Sequence, residues 1–324
     1  MSTRARIATV CQAGQVLKTV EENRNQALGL LDLALKQGAD LVCLPETFPH
    51  KWRSGKLPDL AETVPGPTID AVAKRAREHK CYVICPIVTV REDRRLNSAV
   101  VIGRDGSVLG IYDKLQPVTS SPDYTVFEDG LLPGSELPVF DLDFGRVGVQ
   151  ICFDAGFPEH WQALADKGVR AVFWPSAYDG GFPLQAFAAL HHYWVISAVG
   201  SSGARFIDPL GTVRASTDSL KNVIWQDVNL DFVVCHTDFN YAIGDRIYAA
   251  RPGKVDIRTD TASGWFLVEP TDPSVTVAQL QQEFGFETRQ QYFQRHRDAY
   301  ARLRKGEKPV AQTGAHGNRP MYTK

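Results

Sequence analysis

Three residues with reactive side chains, Glu46, Lys114 and Cys152, occupy the same kind of position in the chain. Glu46 follows the run LVCLP, Lys114 follows VLGIYD, and Cys152 ends VGVQI, so each stands at the end of a predicted strand. Ligands of α/β sheets bind outside the carboxyl ends of the strands, where these three side chains could converge. A thiol can act as a nucleophile, yet a lone cysteine is more often a small buried hydrophobe, and lone charges are typical of the surface. Spacing alone leaves both interpretations open.

The elements that would position these residues alternate along the chain. A strand over residues 6–10 is followed by a helix over 23–37, whose broad apolar face ends at Gly38. The Asp105-Gly106 pair predicts a hairpin turn between two short β-rich runs. This alternation predicts an α/β fold with a largely parallel or stacked sheet core. Further strands are predicted at 39–46, 81–90, 146–152, 170–177, 194–200 and 223–230, and further helices at 68–79, 158–168 and 184–193.

The alternating pattern fades after about residue 270. Beyond it lie a polar stretch with helical character at 277–305 and a tail rich in Gly, Pro, His and Lys. We therefore expect one domain over residues 1–270 and a C-terminal helical extension with a tail over 271–324. The tail is predicted to bind a partner or to be poorly ordered.

Composition narrows the class of protein. The 324 residues include 36 basic and 37 acidic side chains, a formal charge of −1, which argues against nucleic acid or an anionic membrane as the main partner. The six cysteines lie mostly in apolar runs without a CxxC pair or a Cys/His cluster, which favours a reduced protein without structural zinc. No apolar run approaches the roughly 18 residues of a membrane span. We expect a soluble cytoplasmic protein, and no phosphate loop or GxGxxG motif indicates a nucleotide cofactor.

The segments around the three reactive residues carry a family resemblance. LPETF around Glu46, YDKLQP around Lys114 and GRVGVQICFDAGFPE around Cys152 resemble the three signatures of the nitrilase superfamily of carbon–nitrogen hydrolases. Supporting pieces occur in the expected order: NSA at 97–99, PG at 133–134, WPSA at 174–177 and IDPLG at 207–211. The resemblance covers about residues 4–270 and implies a four-layer αββα sandwich of two stacked sheets. Residues 1–270 would then be the carbon–nitrogen hydrolase domain.

The resemblance also implies a role for each reactive residue. Cys152 would be the nucleophile, and because a free thiol has a pKa of about 8.5 it needs a base at neutral pH. Glu46 would be that base, first for the thiol and later for water. Lys114 would place a positive charge beside the developing oxyanion, together with the backbone N–H of Phe153. A Cys/His scheme through His191 and His192 is disfavoured, because both lie in an apparent helix where packing is the simpler role.

A second acid between the lysine and the cysteine is common in the family, but no acid here is in perfect register. Counting back from Pro133-Gly134 favours Glu128, whereas matching the TVF run to nitrilases favours Asp123. We take Glu128 as the candidate catalytic residue and keep Asp123 as the alternative. A second departure is Gln162, which stands where amidase-like members often carry an arginine.

Aromatic residues near the strand ends are candidates for substrate binding. Phe153, Trp174 and Tyr178 could line a pocket, although aromatic residues at such positions are as often part of the core. No metal is expected, since no HExxH motif or comparable cluster of ligands occurs.

The resemblance implies a cysteine hydrolase of non-peptide C–N bonds. Its substrate would be a small amide or N-carbamoyl compound, the intermediate a thioester, and the product ammonia or an amine, with no cofactor. The run Phe-Asp-Ala-Gly-Phe-Pro-Glu after Cys152 looks like amidase and carbamoylase branches, while Lys114-Leu-Gln-Pro looks like nitrilases. The alternatives are a nitrilase that converts a nitrile to its acid, acyl transfer to an amine, and a non-catalytic scaffold. A homodimer or larger homo-oligomer is also implied, with 277–305 as candidate contacts between subunits.

Overall fold

The structure, a computed structural model, describes residues 3–14, 17–51, 56–201 and 203–311. The chain divides into two compact units, one from Thr3 to Val228 and one from Asn229 onwards. Most of the predicted tail, residues 312–324, lies outside the described residues. No helix within the described ranges is long and apolar enough to cross a membrane.

The described residues of the first unit form two six-stranded sheets and four α-helices. The strands of the first sheet follow the order β12-β1-β2-β3-β4-β5, and those of the second the order β11-β10-β9-β8-β7-β6, with bounds as follows. The strands are β1 (Arg4–Val10), β2 (Leu41–Cys43), β3 (Tyr82–Arg91), β4 (Arg94–Ile102), β5 (Val108–Asp113), β6 (Val139–Leu142), β7 (Gly145–Val149), β8 (Ala171–Ser176), β9 (Trp194–Val199), β10 (Arg205–Ile207), β11 (Val213–Ser216) and β12 (Val223–Asn229). The helices are α1 (Val20–Lys36), α2 (Pro67–His79), α3 (Pro158–Asp166) and α4 (Phe182–His191).

Each sheet combines parallel and antiparallel pairs. In the first sheet β1, β2 and β3 run parallel, and β3, β4 and β5 form antiparallel hairpins. In the second sheet β7, β8 and β9 are parallel, while β6, β10 and β11 are antiparallel to their neighbours. Because β2 and β7 belong to the parallel part of each sheet, the segments that follow them lie at the carboxyl ends of parallel strands. A ligand can reach the chain at those ends.

Two helices cover each sheet, which gives the four layers. Apolar residues of α1 and α2, such as Leu31 and Val72, pack with Val42 of the first sheet in one buried cluster. On the second sheet, Trp161 of α3 stacks on Phe187 of α4 with ring centroids 4.4 Å apart. The sheets are joined face to face, and one direct link is the Thr9 hydroxyl, which donates to the Ser197 carbonyl (2.6 Å). The predicted αββα sandwich is therefore confirmed.

The predicted strand over 146–152 is shorter in the structure. The strand β7 ends at Val149, and residues Cys152–Gly156 form a single 3-10 turn. The cause is local: the Asp154 carboxylate accepts a hydrogen bond from the backbone N–H of Ile151 (2.8 Å), which turns the chain out of the sheet. Cys152 consequently lies on a tight turn and not within a strand.

The second unit has its own sheet and core. Its elements are β13 (Val233–His236), α5 (Ile243–Ala250), β14 (Val255–Asp260), β15 (Trp265–Pro270), α6 (Val277–Phe284) and α7 (Arg289–Arg304). The strands form an antiparallel sheet in the order β13-β15-β14, and α5 and α6 pack on it through residues such as Ile247 and Leu280.

The structural division falls at Val228, whereas the sequence predicts a domain boundary at residue 270. The difference arises because β15 pairs with β13 and β14, which ties residues 229–270 to the helices that follow. The predicted helical stretch over 277–305 is also two helices. Gly285, with φ of 70°, ends α6, and the Thr288 hydroxyl caps α7 by accepting from Gln291 N–H.

Candidate active site

The three residues singled out by the sequence meet in one cavity of the first unit. Glu46 follows β2, Lys114 directly follows β5, and Cys152 follows β7, and all three line a cavity of about 310 Å³. Glu128, from the long loop after β5, lines the same cavity. Convergence at strand ends is what their shared placement in the sequence indicates.

Lys114 is buried between two carboxylates. Its Nζ donates to Glu46 Oε1 at 2.9 Å and to Glu128 Oε1 at 2.5 Å, and its side chain is only 2% exposed. Burial by itself would lower the pKa of this ammonium, but Glu46 and Glu128 outweigh it and hold the pKa well above its usual range. Lys114 is therefore a fixed positive charge at any physiological pH, with one N–H left for a substrate.

The two carboxylates are held in place by further donors. The Asn97 Nδ2 group donates to Glu46 Oε1 (2.8 Å) and to Glu128 Oε2 (3.1 Å). The backbone N–H of Ala177 donates to the second oxygen of Glu46 (3.0 Å), and that of Val118 donates to Glu128 (3.3 Å). Asn97 belongs to the NSA segment of the family pattern, and that pattern predicts no role for it. Nothing in the local sequence signals that its amide bridges two acids 31 or more positions away.

Cys152 lies on the turn after β7 with its backbone in the left-handed region, at φ of 48°. Burial raises the pKa of the thiol to about 12, and the negative charge of Glu46 also raises it while Lys114 lowers it. The thiol is therefore protonated at neutral pH, so a reaction through sulfur requires that a neighbouring base remove its proton. The Glu46 carboxylate is the candidate base, because it lines the same cavity as Cys152 and lies close enough for its negative charge to raise the pKa of the thiol.

Asp154 connects the cysteine turn to the lysine segment. It is fully buried and accepts hydrogen bonds from the Tyr112 hydroxyl (2.7 Å), from Ile151 N–H (2.8 Å) and from Gln116 N–H (2.9 Å). Tyr112 and Gln116 flank Lys114 in the chain. The Asp154 carboxylate therefore fixes both the backbone turn that carries Cys152 and the segment that carries Lys114. Burial raises the pKa of Asp154 to about 6, although the hydrogen bond from Tyr112 acts in the opposite sense.

The alternative acid and the two histidines lie elsewhere. Asp123 is exposed and accepts hydrogen bonds from Ser121 and Thr125 within its own loop, outside the lining of this cavity. His191 packs near Phe187 on α4, and the ring of His192 bonds to the Pro209 carbonyl. The geometry thus brings Glu128, and not Asp123, His191 or His192, to the cavity of Lys114 and Cys152.

The described residues that line the cavity do not include the three aromatic candidates, Phe153, Trp174 and Tyr178. Trp174 is fully buried and donates from Nε1 to the Cys152 carbonyl (3.1 Å), so it supports the turn from behind. Tyr178 meets the edge of Trp174 and is 46% exposed, and Phe153 is 41% exposed beside Phe157. Gln162, at the second family departure, bonds to Asp166 on its own helix. Contact of Phe153, Trp174 or Tyr178 with a substrate stays a prediction.

Comparison with known proteins agrees with the fold and the motifs. The carbon–nitrogen hydrolase family model matches residues 7–234. Among solved structures, Nit3 of Saccharomyces cerevisiae, a nitrilase-superfamily member, has a TM-score of 0.62 at 19% identity and covers 77% of this chain and 95% of its own. An amidase from Nesterenkonia sp. has a TM-score of 0.60 at 21% identity, with coverage of 70% and 90%. These two likenesses concern the fold, which is that of the nitrilase superfamily.

Curated relatives share the sequence more closely. Omega-amidase NIT2 of Bos taurus is 34% identical over 51% of this chain, and the match spans 61% of the length of that relative. Omega-amidase NIT2 of Mus musculus is 27% identical over 67% of this chain and 86% of its own length. Since the family model matches more than half of the residues, the chain belongs to the carbon–nitrogen hydrolase family.

The tight fit around Lys114 leads to a first prediction. Lys114→Arg should reduce kcat nearly as much as Lys114→Ala, by about 100-fold or more, because the longer planar guanidinium does not fit between Glu46 and Glu128. Steady-state kinetics of both variants, with thermal unfolding to check folding, would measure this. Recovery of most activity by arginine would show that only a diffuse positive charge is needed.

The burial of Asp154 leads to a second prediction, on pH. Protonation below about pH 6 would place a hydrogen on a carboxylate whose two oxygens together accept from three donors, so kcat should fall on the acid side with an apparent pKa near 6. The free energy of unfolding should change in the opposite direction, because the pKa of Asp154 is higher in the folded state than in the unfolded state. The stabilisation from this group is complete below the pKa of the unfolded state and is lost as pH rises through the pKa of the folded state.

Asp154→Asn tests this assignment. We expect a kcat at least about tenfold lower and no acid limb near pH 6, because the amide cannot titrate and presents N–H to a donor. Asp123→Asn is the matched control, since Asp123 is an exposed acid of the same region and its pKa is lowered by hydrogen bonds from Ser121 and Thr125. An unchanged acid limb in Asp154→Asn would assign that limb to another group.

Proposed function

We propose that this chain hydrolyses the C–N bond of a small amide or N-carbamoyl compound through a thioester on Cys152. The observation that carries the proposal is a single cavity in which one buried carboxylate, Glu46, pairs with Lys114 at 2.9 Å and raises the pKa of the Cys152 thiol through its charge. A thiol, a base and a fixed cation are the three groups that this reaction needs. The similarity to omega-amidases NIT2 supports the choice of an amide.

In the first half of the proposed reaction, the thiol becomes an acyl carrier. Glu46 takes the Cys152 proton as sulfur attacks the carbonyl carbon, and a tetrahedral oxyanion forms. The remaining N–H of Lys114 and the backbone N–H of Phe153 stabilise that oxyanion. Glu46 then gives the proton to the nitrogen, the C–N bond breaks, and ammonia or an amine leaves the thioester behind.

In the second half, water releases the acid. Glu46 removes a proton from water as its oxygen attacks the thioester carbonyl, and the same donors stabilise the second oxyanion. The C–S bond breaks and the thiolate recovers the proton from Glu46. Because one carboxylate serves both halves, its orientation must be fixed, and the hydrogen bonds from Ala177 N–H and Asn97 supply that constraint.

Glu128 is a positioning residue in this scheme. Its carboxylate lies 2.5 Å from Lys114 Nζ and shares the Asn97 amide with Glu46. It keeps Lys114 charged and directed into the cavity, and leaves Glu46 free for proton transfer. A nitrilase is the alternative reaction, favoured by Leu115-Gln116-Pro117 after the lysine, where many amidases of the family carry a histidine two residues on.

A third prediction tests whether Cys152 is the nucleophile. Cys152→Ala should leave no more than about 1% of the wild-type rate, and Glu46→Gln should lose both acylation and deacylation because the amide cannot take a proton. Release of ammonia or amine from a panel of small amides and carbamoyl compounds would measure both. A normal rate for Glu46→Gln would remove it as the base.

Alkylation by iodoacetamide supplies the matched control and separates an enzyme from a scaffold. Burial raises the pKa of both Cys81 and Cys152 to about 12, but Cys152 lines the cavity that contains the Glu46 carboxylate, whereas Cys81 is not part of that lining. We expect Cys152 to be labelled far faster than Cys81, and this advantage should shrink in Glu46→Gln. Equal slow labelling of the two cysteines would favour the non-catalytic scaffold.

A fourth prediction separates an amidase from a nitrilase. The residues nearest the nucleophile, Phe153 to Glu159, look like the amidase and carbamoylase branches. We expect them to determine the choice between amide and nitrile more strongly than the segment after Lys114. We expect amides or N-carbamoyl compounds to exceed matched nitriles in kcat/KM by at least about tenfold, or about 1.4 kcal/mol of transition-state free energy. A panel of matched pairs in which every nitrile is faster would favour the nitrilase.

A further inference from the structure

The same cavity contains a second buried ammonium that the proposed reaction does not use. Lys51 lines the cavity and is only 6% exposed. Its Nζ donates to the backbone carbonyl of Gln12 and, at 3.3 Å, to that of Gly14. Among the described residues no carboxylate pairs with it, and no hydrogen bond joins it to the cluster of Glu46, Lys114 and Glu128.

Burial without a carboxylate leaves this ammonium short of a partner. An ammonium has three N–H donors, and two backbone carbonyls account for two of them. Burial lowers the pKa of Lys51, with only the nearby Cys11 acting in the opposite sense. An anionic group that entered the cavity would supply the missing charge and accept the third N–H, in a charge-assisted hydrogen bond.

The charges of the cavity set where an anion can lie. With a protonated thiol, Glu46, Glu128 and Lys114 together carry a net charge of −1, and Asp129 adds another carboxylate to the lining, so a substrate carboxylate is disfavoured beside the sulfur. Lys51 adds a positive charge to the same lining, with no ion pair to Glu46 or Glu128 among the described contacts. A substrate with a neutral carbonyl at one end and a carboxylate at the other would match both groups in a cavity of about 310 Å³.

We propose that Lys51 is a specificity-determining residue that binds the carboxylate of an anionic amide or N-carbamoyl substrate while its C–N bond lies at Cys152. This inference rests on the proposed function and adds the charge of the substrate. The carboxylate can belong to the acyl part, as in the monoamide of a dicarboxylic acid, or to the amine part, as in an N-carbamoyl amino acid. Both place the same charge at Lys51.

The experiment, a fifth prediction, compares each anion with its neutral methyl ester: succinamate with its ester, and N-carbamoylglycine with its ester. Full-length wild type should prefer at least one anion by about tenfold or more in kcat/KM. Lys51→Met, which keeps the length of the side chain without the charge, should lower kcat/KM for that anion by at least about 30-fold, mainly through KM. The rate for the ester should change less than about threefold. Lys51→Arg should retain part of the preference.

Lys74→Met is the matched control, because Lys74 is an exposed lysine of α2 whose side chain is 72% exposed, and it should keep the full preference. The anion whose kcat/KM falls in Lys51→Met identifies whether the acyl part or the amine part of the substrate carries the carboxylate.

Two results would overturn the inference: an equal loss of kcat/KM for anion and ester in Lys51→Met, or a wild-type preference for the esters. Lys51 would then only hold the backbone of Gln12 and Gly14 in place. If the enzyme hydrolysed neutral amides such as propionamide but neither succinamate nor N-carbamoylglycine, the inference would be overturned and the proposed function would stand. If it hydrolysed no amide or carbamoyl compound, the inference and the proposed function would both be rejected. The wild-type comparison needs no variant, so poor folding of Lys51→Met would not remove the test.

Discussion

The whole site depends on an ammonium buried between two carboxylates. Removing three charges from water is costly, and the cost is offset only where the opposite charges pair closely and further hydrogen bonds satisfy the carboxylate oxygens. Here Lys114 satisfies one oxygen of Glu46 and one of Glu128, and Asn97 and two backbone N–H groups take up the rest. The partners come from β4, from the loop after β5 and from the segment after β8, so the cluster can exist only when both sheets are stacked. Stacking of the sandwich and assembly of the site are therefore one event.

Backbone conformation shows how firmly the sheets impose this geometry. Four non-glycine residues that line the cavity have positive φ values: Thr47 (42°), Glu128 (40°), Asp129 (59°) and Cys152 (48°). Such conformations cost about 1 kcal/mol or more each and persist where the surrounding contacts determine them. For Cys152 those contacts are visible: Asp154 closes the turn and Trp174 holds the carbonyl. These contacts, which maintain the strained backbone, keep the thiol at the cavity wall and not inside a strand.

The sequence predicts the order of strands and helices and the segments around Glu46, Lys114 and Cys152, because period, turn residues and local motifs are short-range properties. Long-range placement is different. The choice between Glu128 and Asp123 depends on how a loop folds over Lys114, and no count along the chain resolves it. Asn97 and Lys51 carry no local signal, since each acts through partners distant in sequence. The sequence likewise places β13, β14 and β15 in the first domain, because the residues of a single strand do not show which other strands it will pair with.

The two buried lysines of the cavity show how the same side chain can be given different chemistry. Glu46 and Glu128 hold the pKa of Lys114 well above its usual range, so its charge is permanent and its orientation fixed. Lys51 has carbonyl dipoles as its hydrogen-bond partners, and burial lowers its pKa. Paired charge is suited to an oxyanion that exists only briefly, because donors that are already oriented need no reorganisation. Charge without a carboxylate partner is suited to an anion that stays through the whole reaction, because binding it relieves a desolvation cost that is present in the empty cavity.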